Sequence, residues 1–249
     1  MFWQLWSTLD WGQLSILILN ALLIGINKTA VPGIGVLPVV LLALWFEPRL
    51  SAGLQLVMLA MTDVMAVAYY RRHADWGVVL RLLPWAVGGL ALGHFALDWI
   101  SDDFMRPVLG GIILFLCILR QVYKRVSPDK IPSGNVIAGV CGLLLGFTTM
   151  VANAAGPVAA IYFLAMKLPK DKYMGCSAWF FLLINWTKLP VFWYQGRITQ
   201  ESFLLDLTML PFLVLGAAAG IWLLPKIPQK LFENIIEVLI VITALKLFF

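Results

Sequence analysis

Charge is scarce in this chain of 249 residues: Lys, Arg, Asp and Glu make up 12% of it, about half the share of an average soluble domain. With 61% hydrophobic residues and a mean hydropathy of +0.91, too few polar side chains exist to cover a water-facing surface. That shortage excludes a soluble enzyme and a disordered chain. Cysteine is equally rare. Cys117, Cys141 and Cys176 lie in apolar stretches without metal-ligand spacing, which excludes a secreted disulfide scaffold and leaves core packing as their role. Histidine is limited to His73 and His94, so no metal-hydrolase constellation forms, and no segment pairs a nucleophile with a base. Residues 1–11 contain no Lys or Arg, and the apolar run from Leu14 leads into Asn27-Lys28 rather than a small-residue cleavage site. A cleavable signal peptide is therefore not expected.

What the chain does have is a series of apolar runs, at about 14–26, 34–46, 50–70, 78–97, 104–123, 136–147, 157–166, 173–194, 203–224 and 231–249. They predict an all-α polytopic membrane protein embedded in a lipid bilayer. Six runs have the roughly 20 residues needed to cross about 30 Å of hydrocarbon. The first and second, at about 20 Å each, and the sixth and seventh, at about 15–18 Å, are too short. Short apolar pieces in pairs suggest broken or re-entrant helices.

The formal net charge of +5 and pI near 9.2 do not point to nucleic acid in so apolar a chain. One set of loops, around 71–81, 120–130, 167–172 and 226–230, carries 12 Lys and Arg; the alternate set, which includes Arg49, Arg106, Arg197, Lys246 and the acidic Asp206, carries 4. This bias places the first set in the cytoplasm and both termini on the extracytoplasmic side of the cell (inner or plasma) membrane. The 11 Trp cluster at segment ends, as an interfacial belt does.

The two halves, 1–130 and 131–249, resemble each other in order. Gly25, Gly35 and Pro48 match Gly146, Gly156 and Pro169 at a shift of 121; Gly53 matches Gly175 and Asp63 matches Asn185 at 122; Pro84, Gly89 and Gly93 match Pro211, Gly216 and Gly220 at 127. Because the charge bias starts the halves on opposite sides, the repeats are inverted. Inverted repeats with broken helices place a substrate site near the midplane, where the interruptions meet.

The first interruption, Gly25–Gly35, holds Asn27, Lys28, Thr29, Gly33 and Gly35, with Pro38 just beyond. Glycine lets backbone approach a ligand, and a helix N-terminus offers free N–H groups and partial positive charge, hence an anion site. Lys28 near mid-bilayer costs about 2.5–3.5 kcal/mol unless an anion or counter-carboxylate offsets it; the alternative leaves it in a cytoplasmic turn of a fully crossing hairpin. The second interruption, Gly146–Gly156, offers Thr148, Thr149, Asn153 and Gly156 as hydrogen-bonding partners for oxyanion oxygens, while Ala154-Ala155-Gly156 would equally suit close helix packing. Asp63, Asn185 and Lys188 are the candidate coupling or gating groups. Asp63 either carries a coupling proton or pairs with Lys28 or Lys188, and Lys188 either faces the interior or snorkels to the outer interface near Tyr194. Glu237 reads as a polar contact near the cytoplasmic face.

Gly25-x-x-Lys28-Thr29-x-x-Pro32-Gly33-x-Gly35 with Pro38 resembles the first motif of the sulfite exporter TauE/SafE family of anion permeases. Ala152-Asn153-Ala154-Ala155-Gly156-Pro157, Gly175-x-x-Ala178-Trp179-x-Phe181 and Asn185-x-x-Lys188-Leu189-Pro190 resemble its second half. The resemblance implies a secondary transporter, not an enzyme, exporting small sulfur-containing anions such as sulfite, sulfoacetate or related organosulfonates. It would work by alternating access, energised by a proton or sodium gradient, with no cofactor and with a homo-oligomer as an open assembly state. A passive anion channel is the alternative.

Overall fold

The computed structural model describes residues 9–30, 35–96, 134–232, 234, 235 and 238. All regular structure there is helical. Helix α1 spans Trp11–Thr29, α2 Val36–Trp45, α3 Pro48–Tyr70 and α4 Trp76–Ala96. In the second half α5 spans Gly134–Ala152, α6 Gly156–Ala165, α7 Lys170–Tyr194, α8 Gln200–Thr208 and α9 Leu210–Leu223, closed by a 3-10 turn at Leu224–Lys226. Among the described residues, α1, α3, α4 and α5 are long and apolar enough to cross a membrane, and the bent pair α8–α9 makes a fifth candidate. The fifth apolar run, most of the tenth, Cys117 and Glu237 lie outside the described residues.

Local chemistry sets the boundaries. Asp10 opens α1 with a capping box: its carboxylate accepts from the Gln13 amide at 2.7 Å, and Gln13 accepts from the Asp10 amide at 3.2 Å. Thr199 and Ser202 do the same for α8. Pro211 in the first turn of α9 has no N–H for the carbonyl of Leu207, so α8 and α9 separate at Met209 and bend by 49°.

Three expectations are corrected. The first and sixth apolar runs are not short. Each becomes a helix of 19 residues, about 28 Å long, and only the second member of each pair, α2 and α6 with 10 residues, stops about half-way. Helix now runs on to Thr29 before the first interruption and resumes at Val36, and the second interruption shrinks to 153–155. Polar residues read as loop are helical because neighbouring helices satisfy them: the Thr29 hydroxyl donates to Gly25 O at 2.8 Å and also meets Ala217 O at 3.0 Å. Finally, Asp206 is not an outer-loop residue; it lies within α8, fully buried.

Helix directions follow from the contacts. Asn20 of α1 bonds Gln55 of α3, and the Tyr70 hydroxyl at the end of α3 donates to Thr29 O at the end of α1, so the two run parallel. Helix α9 joins them, with Gly25 against Gly216 and Thr29 against Gly220. Helices α4, α5 and α7 run the other way. Gly53 near the start of α3 lies against the Arg197 carbonyl beyond α7, while Gly175 near the start of α7 lies against His73 and Ala74 beyond α3. Gly146 and Gly89 bring α5 and α4 into backbone contact, and Gly93 meets Met150. In each place a side chain would strike backbone or a neighbouring side chain, which is why glycine sits there.

Two apolar clusters fill the interior. One joins α3 to α7, among them Leu56, Leu82, Leu145, Phe163 and Phe180; the other joins α1, α2, α3, α8 and α9 through Leu17, Leu42, Leu54, Leu205 and Leu213. Trp85, Leu92, Leu215 and Trp222 point outward, as side chains facing hydrocarbon would. Cys141 and Cys176 are buried free thiols.

Candidate functional site

Both breaks open onto one cavity. Asn27, Lys28 and Gly35 line it from the first half, Thr149, Asn153, Ala154 and Gly156 from the second, and Leu59 of α3 with Ser177, Phe181 and Asn185 of α7 complete the wall. Leu59 and Phe181 lie near the middle of the two longest helices, so the cavity is at mid-depth. Its free volume of about 30 Å³ suits a compact guest, of the order of two waters.

The first half supplies a salt bridge. Lys28 Nζ lies 2.6 Å from Asp63 Oδ1, and Asp63 Oδ2 accepts from Asn185 Nδ2, also at 2.6 Å. The Lys28 ammonium rests 4.1 Å from the centre of the Phe181 ring, within cation–π distance. Asp63 is fully buried, and the geometry contains the ion pair with Lys28, one of the two readings of this residue.

The second half supplies another ammonium. Lys188 is 1% exposed and does not reach the outer interface. The snorkelling expectation fails because α7 turns this side chain inward, where Nζ donates to Thr149 O at 2.7 Å, Thr149 Oγ1 at 3.1 Å and Asn153 Oδ1. None of these acceptors is a carboxylate. Asn153 also donates to Ala52 O at 3.1 Å and has φ of 52°, a left-handed conformation that Asn tolerates better than most side chains. That one residue therefore ends α5 and holds Lys188.

Two buried lysines, Lys28 and Lys188, thus stand beside the cavity with one carboxylate, Asp63, between them. Two helix N-termini join them: Gly35 caps α2 and Gly156 begins α6, and neither end has a side-chain cap. Their first-turn amides are thus available to a ligand. A Cβ on Gly156 would meet nothing within 4 Å, so the space in front of it is open.

Not every expected site residue is at the wall. Thr29 locks α1 to α9 and α3, and the Thr148 hydroxyl turns back to Leu145 O at 3.1 Å; both are fully buried away from the cavity. Asp63 and Lys188 act from behind it, and Gly33 lies outside the described residues. The sequence reading missed Leu59, Ala154, Ser177 and Phe181. A signal existed: Ser177, Phe181, Asn185 and Lys188 recur at spacings of four, four and three, one face of a helix.

The model of the sulfite exporter TauE/SafE family matches residues 17–247. The chain belongs to that family. It is accordingly a multi-pass membrane protein of a transporter family, as the apolar helices require. No curated protein and no solved structure matches the chain.

Proposed function

We propose that this TauE/SafE chain is a secondary transporter, an exporter of small sulfur-containing anions such as sulfite, sulfoacetate or related organosulfonates. The observation that carries the reading is the mid-depth cavity, faced by both breaks and backed by two buried lysines against one carboxylate. A buried ammonium without a counter-ion is costly, and a monovalent oxyanion among Lys28, Asn27, Thr149, Asn153 and the amides of α2 and α6, with Lys188 behind Thr149 and Asn153, offsets that cost. The small volume favours compact oxyanions over long organosulfonates.

Alternating access is the second part of the proposal, and repeat-related contacts support it. At the shifts of 121 and 127, Gly25 on Gly216 corresponds to Gly146 on Gly89, and Thr29 on Gly220 corresponds to Met150 on Gly93. Gly53 on Arg197 answers Gly175 on His73, and Asp63 bonds its own counterpart Asn185. The equivalent helices run in opposite directions, which supports reading the halves as inverted repeats that meet at Asp63 and Asn185. In this reading Asp63 is the gate: the arriving anion competes with it for Lys28, and Asn185 holds the carboxylate when Lys28 turns away.

The test uses purified protein. Sulfite, sulfate, thiosulfate, sulfoacetate and simple carboxylates are screened for thermal stabilisation, since a ligand stabilises the state it binds; the best is then followed into proteoliposomes. A carrier accumulates the anion against its gradient when a proton or sodium gradient is imposed. Flux that only follows the anion gradient identifies a channel, and the absence of stabilisation by any sulfur oxyanion refutes the substrate class.

A further inference from the structure

Asp206 takes no part in the anion cavity, yet among the described residues it is a buried carboxyl without a partner. It is fully buried in α8, and neither carboxylate oxygen has a hydrogen-bond partner among the described residues. Asp63, equally buried, has Lys28 and Asn185. Among the described residues Asp206 forms no ion pair.

Its surroundings are apolar but not wholly so. Leu205 and Met209, on either side of it, pack in one cluster with Leu17 of α1 and with Leu54 and Met58 of α3. The α1–α3 contact in that region contains the buried pair Asn20 and Gln55, joined by one bond of 3.2 Å, with Asn20 Oδ1 and Gln55 Nε2 left without partners. The charged groups of the elements packed against α8 are engaged or distant. On α3, Asp63 is held by Lys28 and Arg49 is exposed; α9 has none; the Arg197 guanidinium of the preceding turn stacks 5.0 Å over Phe192; and Glu201 is a turn and more away on α8 itself.

Position gives the group a means of moving. Asp206 stands three residues before the Met209 break, and its carbonyl accepts from the Met209 amide at 3.0 Å. In the first half the residue at the 127 shift is Val79, buried in α4, which continues unbroken past Pro84. The carboxyl and the break are thus both peculiar to the second half.

We propose that Asp206 is a cation-binding site separate from the anion cavity, and that the cation is a proton. A bare carboxylate is not tolerated in apolar surroundings, whereas the neutral acid is. Rotation of α8 about its own axis at the Met209 break turns the carboxyl out of the apolar cluster toward the exposed side that Leu207 now occupies, where it gives its proton to water; the resulting carboxylate cannot return to the buried position until it takes one up again. Only this link to a transport cycle rests on the anion-carrier reading, and proton binding stands without it.

Infrared difference spectra of the full-length protein in lipid bilayers, between acidic and alkaline buffers and with no anion added, test the site directly. Wild type and D63N are expected to share a carboxylic-acid C=O band typical of an acid without a hydrogen-bond partner; D206N loses it and D206E retains a shifted one. A band that persists in D206N, or is missing from wild type, overturns the proposal. In proteoliposomes D206N is expected to retain anion-induced thermal stabilisation while proton-driven accumulation falls at least tenfold. Accumulation that follows sodium and ignores protons overturns the proton assignment. If no anion stabilises wild type while the D206N band difference persists, the carrier reading fails and the proton site survives.

Discussion

Lys28 and Asp63 are worth more as a pair than either is alone. Removing one member of a buried ion pair strands the other and costs about 3–5 kcal/mol, whereas replacing both can be close to neutral. Lys28→Ala is therefore expected to lose stability in this range and anion binding with it. The double variant K28M/D63L is expected to recover most of the stability and none of the binding. Chemical unfolding in detergent measures the first, and the ligand-induced shift of the unfolding midpoint the second. Recovery of anion binding in the double variant would remove Lys28 from the site. At this scale the residue types were legible: an unpaired Lys and Asp in apolar runs already stand out, and the repeat aligned Asp63 with Asn185. Their partners were not legible, because whether Lys28 faces a carboxylate or an anion depends on how α1 is rotated against α3. Lys188 shows the same limit. Its distance along the chain from Tyr194 suggested snorkelling, but the inward face of α7 decides.

Glycine carries the argument for the helices, and two kinds of glycine behave differently. A Cβ on Gly146 would strike the backbone of Ala86 and Leu90, and one on Gly25 would strike the backbone of Gly216 and Ala217. Gly146→Ala and Gly25→Ala are expected to lower stability by about 1–3 kcal/mol through overpacking, and by similar amounts if the two contacts are repeat-equivalent. Gly156→Ala meets no such obstacle and is expected to leave stability within about 0.5 kcal/mol, yet to weaken anion binding because its methyl enters the open space before α6. Thermal unfolding with and without sulfite separates the two effects; a destabilised, binding-competent G156A contradicts the assignment. The sequence punctuation by Gly, Asn and Thr correctly located both breaks but overstated their width. Such residues mark a loop only when nothing else satisfies them, and Thr29 and Thr149 have partners on other helices. Asp206 was misplaced for a related reason: charge counting treats every acidic residue near a segment end as solvated, and it cannot register a capped helix that draws the residue inward.

The molecule as a whole has two unlike ends. Contacts of Lys170 with the carbonyls of Leu224 and Ile227, of Trp76 with Trp179 and of Cys176 with Asp75 gather the basic loops at 71–76, 167–172 and 224–230 at one end. At the other, His94 meets Gln195 and Gly53 meets Arg197. Loops rich in Lys and Arg tend to remain in the cytoplasm, so we propose that the first end faces inward and that α1 enters from outside. Lys172 and Gln200 are both exposed, one at each end. In a background with the three native cysteines replaced by alanine, Q200C is expected to react with a membrane-impermeant maleimide on intact cells, and K172C only after permeabilisation. Labelling in the reverse order would invert the topology and turn the Asp206 carboxyl toward the cytoplasmic side, so that its proton would be exchanged with the cell interior. Sidedness thus decides more than orientation, because it fixes which bulk phase would exchange a proton with the site proposed at Asp206.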